Sequence, residues 1–299
     1  MPDKLFKVHK KEYIQPGNRA CSGCGLSLAY RYILKALGEN TILTLPASCL
    51  TVLHGLYPIT PVGVPCLNCT FASTAASATG LVAGLSAMNR SDITVAAIAG
   101  DGGTFDIGIQ ALSGAAERGT DFIYVCYDNE GYMNTGTQRS SATPAGALTT
   151  TTPVLTKQQG KKDMMKIMEG HDIPYLATCS PSFPIDLYDK FVKAKRIKGT
   201  RYLQVATPCP PGWVYPPQDT VKIGRLAVET GIVVLYEIEN GKFRFTGRSK
   251  TLAEKGTRAP VINFVERQGR FRKMSMEQLG QLQRWVNGKW AEYLKRVEN

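Results

Sequence analysis

Two uninterrupted apolar segments constrain the fold of this chain more than any other feature. ITVAAIAG (93–100) and FIYVCYD (122–128) each have the length of a strand, and neither alternates polar with apolar residues as a half-exposed strand would. Between them, DIGIQALSGAAER (106–118) has helical periodicity. Strands that are apolar on both faces and are separated by helices predict an α/β fold, with a mostly parallel sheet covered by helices on both faces.

The same alternation extends along most of the chain. Further helices are predicted at 26–37, 74–88 and 184–197, and further strands at 41–46, 173–178 and 201–206. We therefore expect one α/β domain over residues 1–215. Over residues 216–299 we expect an extension that packs on this domain or on partner subunits, with a hairpin turning at Asn240–Gly241 and a basic terminal helix.

Charge and cysteine content narrow the classes of function. The net charge of +12 is spread along the chain without a nucleic-acid-binding motif, which favours an acidic protein partner and no nucleic acid. No apolar stretch approaches the ~20 residues of a membrane helix, and no secretory signal is evident, so we expect a cytoplasmic protein without membrane contact. Eight cysteines in 299 residues are too dilute for a disulfide scaffold, so metal binding is the better interpretation of the clustered ones.

Polar residues follow the two central strands. AIAGDGG places Asp101 after the first strand, and Asn129 follows the second strand 28 positions later. In open α/β sheets ligands bind at the carboxyl ends of the strands, and a carboxylate with an amide oxygen suits Mg²⁺. Gly100, Gly102 and Gly103 would allow a diphosphate to approach the backbone and the following helix. The alternative is an ordinary strand-turn-helix in which the aspartate caps the helix.

GDG, this spacer and the following asparagine resemble the thiamine diphosphate motif. Taken whole, residues 17–215 resemble the beta subunit of pyruvate:ferredoxin oxidoreductase and related 2-oxoacid:ferredoxin oxidoreductases, most closely in GDGGTFDIGIQALSGAAERG and YDNEGYMNTGTQRSSATP. ERQGRF (266–271) also resembles the ending of this family. The resemblance implies a thiamine diphosphate-binding fold and a catalytic Asn134 that contacts substrate, with Thr135 against the cofactor. The implied Mg²⁺ ligands are Asp101, Asn129 and the Gly131 carbonyl.

Two CxxC pairs raise a separate question about metal ligation. By spacing alone, Cys21/Cys24 and Cys66/Cys69 could form one four-thiolate site for zinc or iron-sulfur. The family instead carries one 4Fe-4S cluster on a CxxC, a third cysteine about 25 residues on, and a distant fourth before a PGW turn. The matching residues are Cys21, Cys24, Cys49 and Cys209. We expect Cys49 and Cys209 at strand ends near Asp101, Gly23 and Gly25 to free N–H groups for cluster sulfurs, and Cys66 and Cys69 to be packing residues.

The implied activity is oxidative decarboxylation of pyruvate, or the reverse, with coenzyme A and with electrons passed through the cluster to an acidic ferredoxin. Because only one cofactor-binding pattern is present, the family implies that an alpha subunit supplies a glutamate and the substrate arginines. A small ferredoxin-like cluster subunit and a gamma subunit, or fused domains, would complete the enzyme. Three alternatives remain: another 2-oxoacid such as oxalate (without coenzyme A), a branched-chain 2-oxoacid or phenylglyoxylate; half of a non-redox thiamine enzyme; and a zinc-stabilised binding module.

The other polar and sulfur-containing residues favour structural interpretations. Cys126 and Cys179 lie in apolar segments, where free cysteine usually packs as a small hydrophobe. The histidines have no neighbouring acid or nucleophile in the sequence and are expected to be structural or exposed: His9, His54 and His171. The loop 135–153 is too long for a simple connector, and its Arg139 would contact substrate or coenzyme A, or else solvent.

Overall fold

The computed structural model describes residues 8–56 and 58–298. Residues 1–7 lie outside the described residues. They begin the predicted domain and the amino-terminal segment that was expected to carry no secretory signal. The strands are β1 (Thr41–Pro46), β2 (Cys66–Cys69), β3 (Thr94–Gly100), β4 (Phe122–Asp128), β5 (Tyr175–Cys179), β6 (Thr200–Ala206), β7 (Tyr236–Glu239) and β8 (Lys242–Phe245). The helices are α1 (Gly25–Leu37), α2 (Cys49–His54), α3 (Thr74–Ala87), α4 (Ile109–Glu117), α5 (Met164–Glu169), α6 (Pro184–Arg196), α7 (Pro210–Trp213), α8 (Thr220–Glu229), α9 (Gly247–Lys255), α10 (Ile262–Val265) and α11 (Met276–Glu298).

One eight-stranded sheet organises these elements, in the order β2-β1-β3-β4-β6-β5-β7-β8. Strands β1 to β6 pair in parallel, whereas β7 and β8 are antiparallel. The register aligns Gly100 with Tyr127 and Asp128 with Ala206. The carboxyl ends of β3, β4 and β6 therefore meet at one edge of the sheet, and the predicted α/β fold with a mostly parallel sheet is confirmed.

Each face of the sheet contributes its side chains to a different apolar cluster. In β3, Ala97 and Ala99 contribute to one cluster, while Ala96 and Ile98 contribute to the other. All four side chains are fully buried. This explains the uninterrupted apolar segment, since side chains alternate across a strand and both faces are covered.

Three local features before β4 differ from the sequence-based expectation. The helix expected over 106–118 is preceded by a π-helical turn at Gly102–Asp106, in which the Ile107 N–H donates to the Gly102 carbonyl (3.2 Å), and α4 starts only at Ile109. Strand β2 and helix α2 are too short to carry a periodic signal and were not predicted. π-Helical turns often occur at functional sites.

The carboxyl-terminal residues are part of the same sheet. The hairpin of β7 and β8 turns at Asn240–Gly241, as predicted, and β7 pairs with β5. From the terminal helix α11, Val286 and Trp290 are buried in the core cluster that also holds Ala97. Residues 216–298 thus complete the sheet and cover one of its faces. No helix in the described part of the chain is long and apolar enough to cross a membrane.

Candidate active site

Asp101 begins the site at the carboxyl end of β3. Its side chain is completely buried. Ser140 Oγ donates to Asp101 Oδ2 (2.5 Å), and the backbone N–H of Asn129 donates to Asp101 Oδ1 (3.3 Å). Burial, with a contribution from the charge of Asp128, raises the pKa of Asp101 well above its usual range. The carboxylate is therefore held by neutral donors in a place where a cation would stabilise its charged form.

Two further polar groups, the Asn129 amide and the Gly131 carbonyl, converge beside this carboxylate. One terminal atom of the Asn129 side-chain amide lies 2.9 Å from Asp101 Oδ1 and 3.0 Å from the carbonyl oxygen of Gly131. If this atom is nitrogen, it donates to both oxygens. If it is oxygen, three acceptors face one another and require a cation between them. Neighbouring ligands of an octahedral Mg²⁺ with bonds of ~2.1 Å are ~3.0 Å apart, so the spacing fits this ion.

The three glycines around Asp101, at positions 100, 102 and 103, differ in how much space they leave for a side chain. A Cβ on Gly102 would lie 2.5 Å from the ring of Tyr132, and one on Gly100 would lie 3.0 Å from the ring of Tyr127. On Gly103 the nearest atom would be 3.6 Å away, an ordinary contact. Packing within this chain thus accounts for the absence of a side chain at the first two positions. Gly103 has no such explanation and stays available for close approach of a ligand to the backbone.

A buried network of charges surrounds the residues after β4. Lys161 Nζ lies 2.6 Å from Asp128 Oδ2 and 2.9 Å from Glu130 Oε1. Arg270 Nη1 lies 2.7 Å from Glu130 Oε2. Burial alone would raise the pKa of Glu130, but the opposite charges of Lys161 and Arg270 outweigh it and lower this pKa. Each of these two carboxylates therefore has a basic partner, whereas Asp101 has none in contact among the described residues.

The polar loop 135–153 folds against the same residues. Besides Ser140, Thr143 is buried, and its hydroxyl donates to the carbonyl of Glu130 (2.7 Å). Lys157, also buried, donates to the carbonyl oxygens of Ser141 (3.2 Å) and Thr143 within the loop. The loop is therefore part of the site's framework, as expected of a functional loop and unlike a solvated connector.

Thr135 and Arg139 lie nearer the surface of that loop. Thr135 is exposed, and its hydroxyl lies 2.5 Å from Gln138 Oε1. Arg139 is half-buried and forms no ion pair within the described residues. Both remain accessible to a ligand or partner.

The four cysteines that match the family line one cavity. This cavity, of about 230 Å³, is bordered by Cys21, Cys24, Cys49 and Cys209, and also by Asn129 and Asn134. Burial raises the pKa of Cys49 to about 12 and that of Cys209 to about 12, and in both cases the neighbouring thiols of the group add to the shift. The structure thus brings together the cysteines expected to act together, with a metal-ligand candidate at the same cavity.

The expected positions of Cys49 and Cys209 at strand ends were wrong in detail. Cys49 is the first residue of α2, because Ser48 caps that helix after β1 ends at Pro46. Cys209 precedes α7, three residues beyond the end of β6. Both cysteines still lie beyond the carboxyl ends of parallel strands, so they lie at the same edge of the sheet as Asp101.

The glycines around the first cysteine pair serve the packing of the chain. Gly23 has a φ of +67°, and a Cβ there would lie 2.2 Å from the carbonyl oxygen of Pro217. The N–H of Gly25 donates to the carbonyl oxygen of Pro208 (3.1 Å). The expectation that Gly25 leaves its N–H free for a cluster sulfur was therefore wrong. Instead, these glycines bring the first cysteine pair against the segment that contains Cys209.

The second CxxC pair lies elsewhere. Cys66 and Cys69 are the ends of the edge strand β2, and neither borders the cavity. Cys69 Sγ donates to the carbonyl of Leu45 (3.2 Å). Among the described residues, no group of three or more His, Cys, Asp or Glu side chains is arranged to hold a single metal ion. The two CxxC pairs therefore do not border the same cavity.

The remaining cysteines and histidines occupy structural positions. Cys126 and Cys179 are fully buried in strands. His54 is buried, with Nε2 2.9 Å from the hydroxyl of Tyr30, and burial lowers its pKa to about 4. His171 Nε2 lies 3.1 Å from Ser113 Oγ, and His9 is exposed.

Several residues of the site were missed by the sequence analysis. They are Ser140, Thr143, Lys161, Trp213 and Arg270. Ser140 and Thr143 share one loop, the others come from three further segments, and all of them meet the motif only in the folded chain. Four of them lie in segments that carried the family resemblance, YDNEGYMNTGTQRSSATP, the PGW turn and ERQGRF, but no role had been assigned to them there.

Comparison with known proteins accords with this geometry. Residues 48–205 match the thiamine pyrophosphate enzyme, C-terminal TPP binding domain family. The chain is 47% identical to pyruvate synthase subunit PorB of Methanocaldococcus jannaschii, over 95% of this chain and 97% of that protein. It is 43% identical to ketoisovalerate oxidoreductase subunit VorB of Pyrococcus horikoshii, over 99% of this chain and 96% of that protein.

Among solved structures, 2-oxoglutarate:ferredoxin oxidoreductase from Magnetococcus marinus has a TM-score of 0.58 and 20% identity, covering 73% of this chain and 82% of that one. This likeness supports the fold. The extent and identity of the sequence matches support the assignment that the motifs suggested. The chain belongs to the thiamine diphosphate-binding beta subunits of the 2-oxoacid:ferredoxin oxidoreductases.

Proposed function

We propose that this subunit serves the coenzyme A-dependent oxidative decarboxylation of pyruvate, or the reverse reaction, and passes electrons through one 4Fe-4S cluster to ferredoxin. One observation carries the proposal: Asn129 and Asn134, on the cofactor side, border the same cavity as the four family-matching cysteines. A redox centre in this cavity would adjoin the reacting atoms. A non-redox thiamine enzyme has no need of such a juxtaposition.

Mg²⁺ and the diphosphate of the cofactor would be held at the carboxyl ends of β3 and β4. The convergence of Asp101, Asn129 and the Gly131 carbonyl fits a hard cation, and, unlike Asp128 and Glu130, Asp101 has no basic partner in contact among the described residues. Thiamine diphosphate, when bound, would supply the carbanion-stabilising chemistry. Gly103 would let its diphosphate approach the backbone, and Thr135 would lie against it.

The cluster would be bound by the cysteines around the cavity. Cys21 is exposed, whereas the other three are half-buried. Because burial raises the pKa values of Cys49 and Cys209, these thiols would release protons when they bind the cluster as thiolates. A cytoplasmic, reducing compartment would keep all four thiols available.

The substrate is proposed from two observations. The relatives described above are named for pyruvate and for ketoisovalerate, at 47% and 43% identity, a difference too small to separate the two. Pyruvate stays our first choice because the DNEGYMNTG segment resembles that branch. Asn134 is exposed at the cavity, where its amide could contact the substrate and orient it.

Partner chains would complete the active site. The thiamine-binding match covers one segment, residues 48–205, and we propose that an alpha subunit supplies the glutamate and the substrate-binding arginines. A ferredoxin-like cluster subunit and a gamma subunit, or fused domains, would carry electrons onward to acidic ferredoxin. The net charge of +12 suits association with such acidic partners.

Metal and cofactor analysis of matched cysteine variants tests the cluster assignment. The complex is produced with its partner subunits and purified without oxygen, as wild type, Cys49→Ser and Cys66→Ser. We expect Cys49→Ser to lose the iron and sulfide of one cluster while retaining thiamine diphosphate. Cys66→Ser should retain both, because Cys66 lies outside the cavity. An intact cluster without Cys49 would contradict the assignment, and a wild-type complex free of iron would favour the non-redox alternative.

A panel of 2-oxoacids tests the substrate. The wild-type complex is assayed with pyruvate, 2-oxoisovalerate, phenylglyoxylate and oxalate, each with and without coenzyme A, and with a viologen as electron acceptor. We expect the highest kcat/KM for pyruvate, and only with coenzyme A. A higher value for another acid would refute the choice of pyruvate but leave the family unchanged.

A further inference from the structure

Arg270 connects the carboxyl-terminal part of the chain to the candidate metal site. Its side chain is only 3% exposed. The guanidinium carbon lies 3.9 Å from the ring centroid of Trp213, which places the charge on the indole face. On its other side, Arg270 Nη1 lies 2.7 Å from Glu130 Oε2. One buried cation thus contacts both an aromatic ring and the residue between two candidate metal ligands.

Trp213 holds the neighbouring residue. Its indole N–H donates to the backbone carbonyl of Asn129 (2.7 Å). Arg270 and Trp213 together therefore contact two consecutive positions, the carbonyl of Asn129 and the carboxylate of Glu130. Two groups that pack on each other fix the direction in which this short segment leaves β4.

The backbone of residues 129–131 has an unfavourable conformation that its contacts must stabilise. Glu130 has a φ of +67°, in the left-handed region that costs a residue with a side chain about 1–2 kcal/mol. Such a conformation persists only where its surroundings determine it. It also decides where the next carbonyl points, and that carbonyl belongs to Gly131, which faces Asn129.

The same two residues reach the cysteine cavity. Trp213 ends α7, and its backbone N–H donates to the carbonyl of Cys209 (2.8 Å). Gly269, next to Arg270, donates its N–H to the carbonyl of Val214 (2.8 Å). The contacts of Arg270 and Trp213 therefore link the loop after β4 to the segment that carries Cys209.

We propose that Arg270 and Trp213 are positioning residues that fix residues 129–131 in the conformation that binds Mg²⁺. This inference rests on the proposed metal site. Packing alone does not explain the arginine, because its Nη1 and Nη2 atoms are both buried without a hydrogen bond among the described residues, and burial of an unsatisfied polar group is unfavourable. An apolar side chain would fill the space without that cost.

Mg²⁺-dependent binding of thiamine diphosphate to the complete complex tests the proposal. The complex is stripped of Mg²⁺ with a chelator, and binding of thiamine diphosphate is titrated with Mg²⁺ by calorimetry. Trp213→Phe keeps the ring but removes one hydrogen bond, so the half-saturating Mg²⁺ concentration should rise about fivefold. Arg270→Lys keeps the charge but loses the planar stack, and a rise of about tenfold is expected.

Arg267→Met is the matched control. Arg267 lies on the same segment, is 53% exposed and pairs only with its neighbour Glu266 among the described residues. The Arg267→Met complex should have the half-saturating Mg²⁺ concentration of the wild type. A positioning role further predicts that Trp213→Phe leaves the iron content of the Mg²⁺-free complex unchanged, since a general disruption of the segment that carries Cys209 would lower it.

The outcomes separate this inference from the proposed function. If wild type binds thiamine diphosphate with Mg²⁺ and both variants show the wild-type half-saturating concentration, the positioning role is overturned while the metal site stands. Loss of iron from the Mg²⁺-free Trp213→Phe complex would also overturn it. If wild type shows no Mg²⁺-dependent binding at all, the proposed metal site itself is refuted.

Discussion

Substitution of Lys161 by methionine tests whether the buried charges hold the site together. Lys161 contacts two carboxylates, those of Asp128 and Glu130, whose side chains are 2% and 8% exposed. Loss of one partner of a buried ion pair costs about 3–5 kcal/mol, because the other charge stays buried without compensation. Here Glu130 keeps Arg270, and Asp128 keeps the donor Gln204 Nε2 at 2.7 Å. We therefore expect the low end of the range, about 3 kcal/mol.

Lys162→Met is the natural control, because it removes the same side chain one position along. Lys162 is 34% exposed and lies 3.8 Å from Asp106 Oδ1, so its ion pair is partly screened by solvent. We expect a loss of about 1 kcal/mol or less from that pair. The free energy of unfolding is measured by urea titration of the purified subunit, followed by tryptophan fluorescence. With an m-value of about 3 kcal/mol/M, the midpoint for Lys161→Met should fall by about 1 M.

The loss of unfolding free energy in Lys161→Met should also depend on pH. Burial raises the pKa of Asp128, and loss of the lysine charge would raise it further. The deficit of Lys161→Met should therefore be largest where both carboxylates are ionised and should shrink as the pH is lowered and they take up protons. Equal midpoints for the two lysine variants, or a deficit that grows toward acid, would refute the reasoning.

Two further predictions concern packing and pH. Gly102→Ala would place a methyl group 2.5 Å from the Tyr132 ring and should cost about 1–3 kcal/mol of unfolding free energy in urea, whereas Gly80→Ala, with no atom within 4 Å, should cost nothing. Equal effects would contradict the contact. Burial lowers the pKa of His54 to about 4, so as the pH falls the unfolded chain takes up a proton before the folded one does. The free energy of unfolding should therefore fall by up to about 3 kcal/mol between pH 6.5 and pH 4. His54→Gln, which can still accept from Tyr30, should flatten this acid limb, and an unchanged acid limb would exclude His54 as its cause.

The regular elements could be predicted because their signals are local. Strands β3 and β4 are buried on both faces, so their apolar residues form unbroken segments that no loop imitates. The positions of Asp101 and Asn129 at the ends of these strands follow from the same segments. Short elements carry too few residues for a periodic signal, which is why β2, with four residues, escaped prediction.

The framework of the site could not be predicted, because its contacts join distant segments. Ser140 meets Asp101 across 39 positions of the sequence, and Arg270 meets Glu130 from the other end of the chain. Nothing in a lysine, a serine or an arginine shows locally which carboxylate it will contact. The expected role of Gly25 failed for the same reason, since the acceptor of its N–H, Pro208, comes from a distant loop.

The two candidate metal sites differ in the chemistry of their donors, and this difference would keep their metals apart. The site at the ends of β3 and β4 offers a carboxylate, an amide and a backbone carbonyl, hard donors that suit Mg²⁺. Across the cavity, thiolates select iron-sulfur clusters and other soft metals. Asn129 borders the cavity together with Cys49, yet its amide converges with oxygen groups and not with sulfur. The proposed hard and soft sites would therefore lie next to each other without a mixed ligand set, as the proposed coupling of thiamine chemistry to electron transfer requires.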